Sequence, residues 1–104
     1  MVLTAEQLQS NWETFNNNIS DHITGDRKQK LLDFYKKYEE RIILMPASHK
    51  KEYHSAFPGG YVDHVNRVVD ASLKMYGVWD QFGMDTSTFT IEELVFSAIN
   101  HDLG

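Results

Sequence analysis

Cysteine is absent from the 104-residue chain. That excludes a disulfide framework and thiolate zinc sites, and leaves His, Asp and Glu as the side chains able to hold a metal ion. Long apolar runs are absent too. The longest is a few residues, too short to span a bilayer or to form a signal-peptide core, so the expectation is a soluble cytoplasmic protein without a membrane partner. Basic charge is scarce outside one region. Residues 26–52 hold eight of the ten Lys and Arg and carry a net +3, against −3 for residues 1–25 and −5 for residues 53–104. An overall charge of −5 argues against gripping duplex DNA by bulk charge. The basic segment reads first as a solvated helix face, with attraction of phosphate as the rival.

A chain of this length makes one domain, burying roughly 60–70% of its unfolded surface around one modest core. The pattern is helical throughout. Leu8, Trp12, Phe15, Ile19 and Ile23 recur at steps of three or four and predict an amphipathic helix over residues 1–25. Thr4 and Gln7 have capping-box spacing, Leu3 can staple onto Leu8, and Gly25 is expected as a left-handed cap. A second helix is expected over Asp26–Leu44, with Asp26 and Gln29 at capping spacing and Leu31, Tyr35, Tyr38 and Ile42 as its buried stripe. Pro46 ends it, because the residue before a proline is driven out of the helical region. These two helices are expected to form an N-terminal hairpin, residues 1–44, beside a chemistry-bearing half, residues 45–104.

Residues 46–60 read as a loop of unusual length carrying His49, Lys50, Lys51 and His54, closed by Pro58-Gly59-Gly60. A third helix is predicted over Tyr61–Tyr76, with Val65, Val68, Val69, Ser72, Leu73 and Tyr76 on its inner side and His64 pointing along that stripe. Gly77 is expected to break it, Val78–Met84 to form a short helix around Trp79 and Phe82, and residues 85–88 to turn. Thr90 and Glu93 then have capping-box spacing ahead of Ile91, Leu94, Val95, Ala98 and Ile99. His101 falls on or beside the buried side of that helix. The chain stops as the helix should end, so a missing C-terminal half is expected.

Two helices packed side by side would set His64 beside His101, with Asp102 turned by about 100° to approach from another side. Two imidazoles and a carboxylate suit a divalent metal (Mn, Fe, Ni, Zn or Mg), which would activate water and polarise a phosphoryl oxygen. Hydrogen-bonded structural histidines and a helix-terminal carboxylate are the alternative. A His-Asp dipeptide alone is weak, since this composition shuffled at random gives one in about 0.4 of chains. Backbone N–H groups of Gly59 and Gly60 at a helix start are expected to face phosphate, with Lys50, Lys51 and His54 adding donors. Asp63, His49 and His22 read as polar surface.

The stretch His54-Ser55-Ala56-Phe57-Pro58-Gly59-Gly60-Tyr61-Val62-Asp63-His64, followed by Ile99-Asn100-His101-Asp102-Leu103-Gly104, resembles the HD-domain metal-dependent phosphohydrolases. The likeness, with Met45-Pro46-Ala47-Ser48 before it, covers residues 45–104. It is to the branch whose motif reads His-x-Ala-x-Pro-Gly-Gly-Leu-x-x-His ahead of Leu-x-His-Asp-x-Gly-Lys. The resemblance implies an all-α, HD-domain-like bundle of four to five helices, incomplete at its C-terminus. It also implies His64, His101 and Asp102 as metal ligands, a catalytic part for Asp102, and a nucleotide or single-stranded nucleic-acid phosphoester as substrate. His54 takes the position of the motif's additional histidine, at phosphate or a second metal. The family's lysine would follow Gly104 and its last aspartate lies further on, so the expectation is an inactive or partial enzyme. Asn100 stands where the family has an apolar residue. A noncatalytic interaction module, self-associating through faces left uncovered, and a nucleotide-sensing domain are the alternatives.

Overall fold

A computed structural model describes residues 2–46, 57–83 and 90–101. These residues form five α-helices and no strand: α1 Ala5–His22, α2 Gly25–Lys37, α3 Glu39–Ile43, α4 Gly60–Gln81 and α5 Ile91–Asn100. No helix among the described residues is long and apolar enough to cross a membrane.

The core is one cluster to which every helix contributes. Trp12, Phe15 and Ile19 of α1, Tyr35 of α2, Ile42 of α3, Tyr61, Val62, Val65 and Val69 of α4, and Val95, Ala98 and Ile99 of α5 are all buried, together with Ile23. Aromatic rings join its first part: Phe15 stacks at 5.3 Å on Trp12 and meets Tyr35 edge-on at 4.8 Å. Such pairs add about 0.5–1.5 kcal/mol beyond the area they bury.

The α1 start follows its local signals. Thr4 accepts from the Gln7 N–H at 3.1 Å, and the Gln7 side chain accepts from the Thr4 N–H at 2.8 Å, closing the capping box. Its end does not. Gly25 has the expected positive φ of 64°, yet it opens α2; α1 has already stopped at His22, with Ile23 extended and fully buried. Asp26 does not cap α2 either, because Thr24 holds that position without a side-chain cap of its own. The nearest acceptor is instead Glu92 of α5, which binds the Thr24 N–H at 2.7 Å and the Thr24 hydroxyl at 2.6 Å.

The expected helix over 26–44 is two helices. It breaks at Tyr38 (φ −108°, ψ 18°), and Tyr38 is exposed where a buried stripe was expected. The break lies just before two anchors of α3: the Trp12 indole N–H donates to Glu39 at 2.5 Å, and Ile42 is buried in the core. Conversely, Gly77 breaks nothing. It sits within the 22-residue α4 on an open surface, where a glycine costs the helix only about 1 kcal/mol, and the helix runs on through Trp79 to Gln81. The turn expected at 85–88 lies outside the described residues.

At the entry to α4, two backbone hydrogen bonds tie the end of α3 to the helix start: Gly59 N–H to the Leu44 carbonyl at 3.1 Å and Tyr61 N–H to the Met45 carbonyl at 2.9 Å. Gly59 has φ 84°, and a Cβ there would collide with Leu8 Cδ2 and crowd Leu3 Cδ1. The leucine pair anticipated as a staple therefore closes over this glycine.

Candidate metal centre

Helices α4 and α5 pass in opposite directions, with Leu94 beside the middle of α4 and His101 beside its first turns. This brings the His64 and His101 rings to 5.7 Å between centroids, tilted by 53°. The adjacency expected from helix packing is present. Exposure differs from expectation: α4 buries Tyr61, Val62, Val65 and Val69, so His64 lies at the edge of that stripe and is half-buried, while His101 at the C-cap of α5 is exposed.

The His101 Nδ1 lies 2.6 Å from the Ala98 carbonyl oxygen. A contact of that length to a carbonyl requires the hydrogen on Nδ1, so in the neutral imidazole Nε2 carries the lone pair. A backbone carbonyl on one ring nitrogen is the usual way a metal-binding histidine is oriented. It is equally how a histidine in a last turn satisfies a carbonyl that lacks a helical donor. The ring spacing suits the first reading as well. With metal–nitrogen bonds of about 2.0–2.1 Å, an ion sits about 3.2 Å from each ring centre, so two rings can share it at separations up to about 6.4 Å.

Among the described residues, no group of three His, Asp or Glu side chains is placed to hold a metal. Asp102, His54 and Lys51 lie outside the described residues, as do His49 and Lys50. Asp63 is engaged elsewhere, in an ion pair with Arg67 Nε at 3.0 Å on its own helix.

The phosphate cradle expected at Gly59 and Gly60 is not formed by these two residues. Both are buried, and their N–H groups donate to the Leu44 carbonyl at 3.1 Å and the Phe57 carbonyl at 2.8 Å, so neither donor faces an anion. The physical reason is the fold itself: the end of α3 supplies the Leu44 carbonyl to Gly59, and the turn that opens α4 supplies the Phe57 carbonyl to Gly60.

Sequence reasoning missed the polar groups behind His101. The Tyr35 hydroxyl donates to Asn100 Oδ1 at 2.6 Å, Asn100 Nδ2 donates to the Phe96 carbonyl at 2.8 Å, and the Tyr61 hydroxyl reaches the Ile99 carbonyl at 3.4 Å. Burial first, and then the neighbouring Tyr61, push the Tyr35 phenol well above its ordinary value, so it stays a neutral donor. The available signal is Asn100, a polar residue directly after the buried-face pair Ala98 and Ile99.

Comparison of the chain with protein-family models, with curated proteins and with solved structures finds no match.

Proposed function

We propose that His64 and His101, completed by Asp102, hold a divalent metal, and that this centre serves hydrolysis of a nucleotide or nucleic-acid phosphoester in an HD-domain-like bundle. The observation that carries the reading is the convergence of the two imidazoles from separate helices, one of them with its Nδ1 engaged by a backbone carbonyl. The order and content of the two motif blocks, His54–His64 and Ile99–Gly104, support it.

When bound, the ion (Mn, Fe, Ni, Zn or Mg) supplies an activated water near neutral pH and polarises a phosphoryl oxygen. The chain's own residues do the rest. The Ala98 carbonyl holds His101 in the Nδ1–H form, and α4 and α5 fix the spacing of the rings. His54 and Lys51 belong, on this reading, to the phosphate side of the site.

The test is calorimetric titration of Mn²⁺, Ni²⁺ and Zn²⁺ into the full chain and into His64→Ala, His101→Ala and Asp102→Ala, followed by assay against bis(p-nitrophenyl) phosphate and nucleotides. Stoichiometric binding lost in each variant is expected. Absence of binding, or binding indifferent to all three substitutions, overturns the reading.

A noncatalytic interaction module is the second reading, and one observation favours it. Met75 and Val78 on α4 and Phe82 at its C-cap are 48%, 43% and 79% exposed, an uncovered apolar face of the kind that joins copies of a chain or a partner. Metal-independent association in sedimentation, abolished by Phe82→Glu, would favour this reading, and a monomeric profile would remove it.

A further inference from the structure

We infer that Tyr35 and Asn100 are positioning residues that hold the last turn of α5 so that His101 faces His64; the inference rests on the metal-centre reading above. The last four carbonyls of a helix have no intrahelical donor, and a helix end not otherwise tied frays. In α5 that end is tied by side chains. His101 Nδ1–H takes the Ala98 carbonyl at 2.6 Å, the Tyr61 hydroxyl of α4 takes the Ile99 carbonyl at 3.4 Å, and Asn100 Nδ2 takes the Phe96 carbonyl at 2.8 Å. Asn100 is in turn gripped by the Tyr35 hydroxyl of α2 at 2.6 Å.

Tyr35 is a rigid anchor for this purpose. It is fully buried, with the Phe15 ring edge-on at 4.8 Å and the Phe34 ring edge-on at 5.2 Å. An apolar residue at position 100 would serve the core as well without any polar group to desolvate, and burying an amide and a phenol is favourable only while each satisfies the other. What the Tyr35–Asn100 pair supplies beyond packing is direction. Hydrogen bonds are angular, and rotation of the last turn about the helix axis moves the residue next to Asn100 by the same angle. The short bond from α2 to Asn100, with a longer contact from the Tyr61 hydroxyl of α4 to the Ile99 carbonyl, adds an angular restraint to that of the packing. His101 inherits that constraint without touching Tyr35 itself.

The experiment uses the full chain and the variants Tyr35→Phe and Asn100→Leu, with Ile42→Val as a core control whose melting point is matched to theirs by choice of urea concentration. Two readouts are taken: the nuclear Overhauser effect between the His64 and His101 ring protons without metal, and the affinity for Ni²⁺ alone. Loss of the ring–ring signal and roughly tenfold weaker Ni²⁺ binding are expected in both variants and in neither readout of the control. A ring–ring signal in Tyr35→Phe equal to that of the unaltered chain overturns the proposal, and so does unchanged Ni²⁺ affinity. Should the unaltered chain bind no Ni²⁺, the metal reading fails while the ring–ring signal still decides the positioning role. Should Asn100→Leu not fold, Tyr35→Phe, which deletes a single oxygen, decides alone.

Discussion

Glu92 and Thr24, 68 residues apart in the chain, meet through two hydrogen bonds to one carboxylate oxygen: the Thr24 N–H at 2.7 Å and the Thr24 hydroxyl at 2.6 Å. The other Glu92 oxygen pairs with Arg27 at 2.8 Å, and the Arg27 guanidinium lies 4.3 Å over the Phe96 ring. An acidic side chain from α5 thus caps the N-terminus of α2, where a negative charge is favoured.

The Thr24 hydroxyl foremost, with the Thr24 N–H and Arg27 adding to it against a smaller opposing effect of burial, holds the Glu92 carboxyl below the usual carboxylate range. A carboxyl whose folded value is depressed stabilises the fold above its unfolded value, and that stabilisation is lost as pH falls toward the folded one. Glu92→Gln should therefore melt below the unaltered chain at pH 7, and the gap should close as pH drops through the acidic carboxylate range. Thermal melts of both proteins between pH 7 and pH 3 check this; a gap constant with pH would remove Glu92 from the account.

Two glycines should respond in opposite directions. Gly59→Ala places a methyl into Leu8 Cδ2 at a backbone of φ 84°, and should cost about 1–3 kcal/mol. Gly77→Ala meets nothing within 4 Å inside α4, and should stabilise by about 0.5–1 kcal/mol. Urea denaturation of the two single variants is enough to compare them.

Thr90 accepts from the Glu93 N–H at 3.1 Å at the start of α5, and Thr90→Ala should cost about 1 kcal/mol. Thr90→Asn, which preserves an acceptor, should restore most of it. The same denaturation curves measure both, and equal losses in the two variants would show that the cap contributes nothing.

Ile99 is fully buried beside Tyr61 and ends the turn that carries His101. Ile99→Val should cost about 0.5–1.5 kcal/mol and Ile99→Ala about 2–5 kcal/mol, as read from urea midpoints at constant slope.

Features set by near neighbours were legible in the sequence. The buried Trp12, Phe15 and Ile19 face of α1 and the Thr4–Gln7 box depend on contacts within a few residues or on one periodic face, and both appear as expected; Leu8 is half-buried, and Ile23 is buried from beyond the helix end. What escaped depends on distant partners. No local signal announces that Glu92 caps α2, that Trp12 holds Glu39 where the chain bends at Tyr38, or that Leu3 and Leu8 occupy the space above Gly59. Gly77 misled for the opposite reason: its cost to an exposed helix is small beside the packing of Val69, Leu73 and Tyr76 that carries α4 past it. At the site, the nearness of His64 to His101 follows from motif order on two packed helices, whereas their half-buried and exposed settings depend on where the stripe of α4 turns.

The backbone bonds from Gly59 to Leu44 and from Tyr61 to Met45 clasp the end of α3 to the start of α4 at one fixed point. Lengthening a connection between two points so joined costs little, about 0.6 kcal/mol for each doubling. The clasp between the end of α3 and the start of α4 thus makes the bundle tolerant of insertions between these two points, since the helices are held to one another and not through the length of chain that links them.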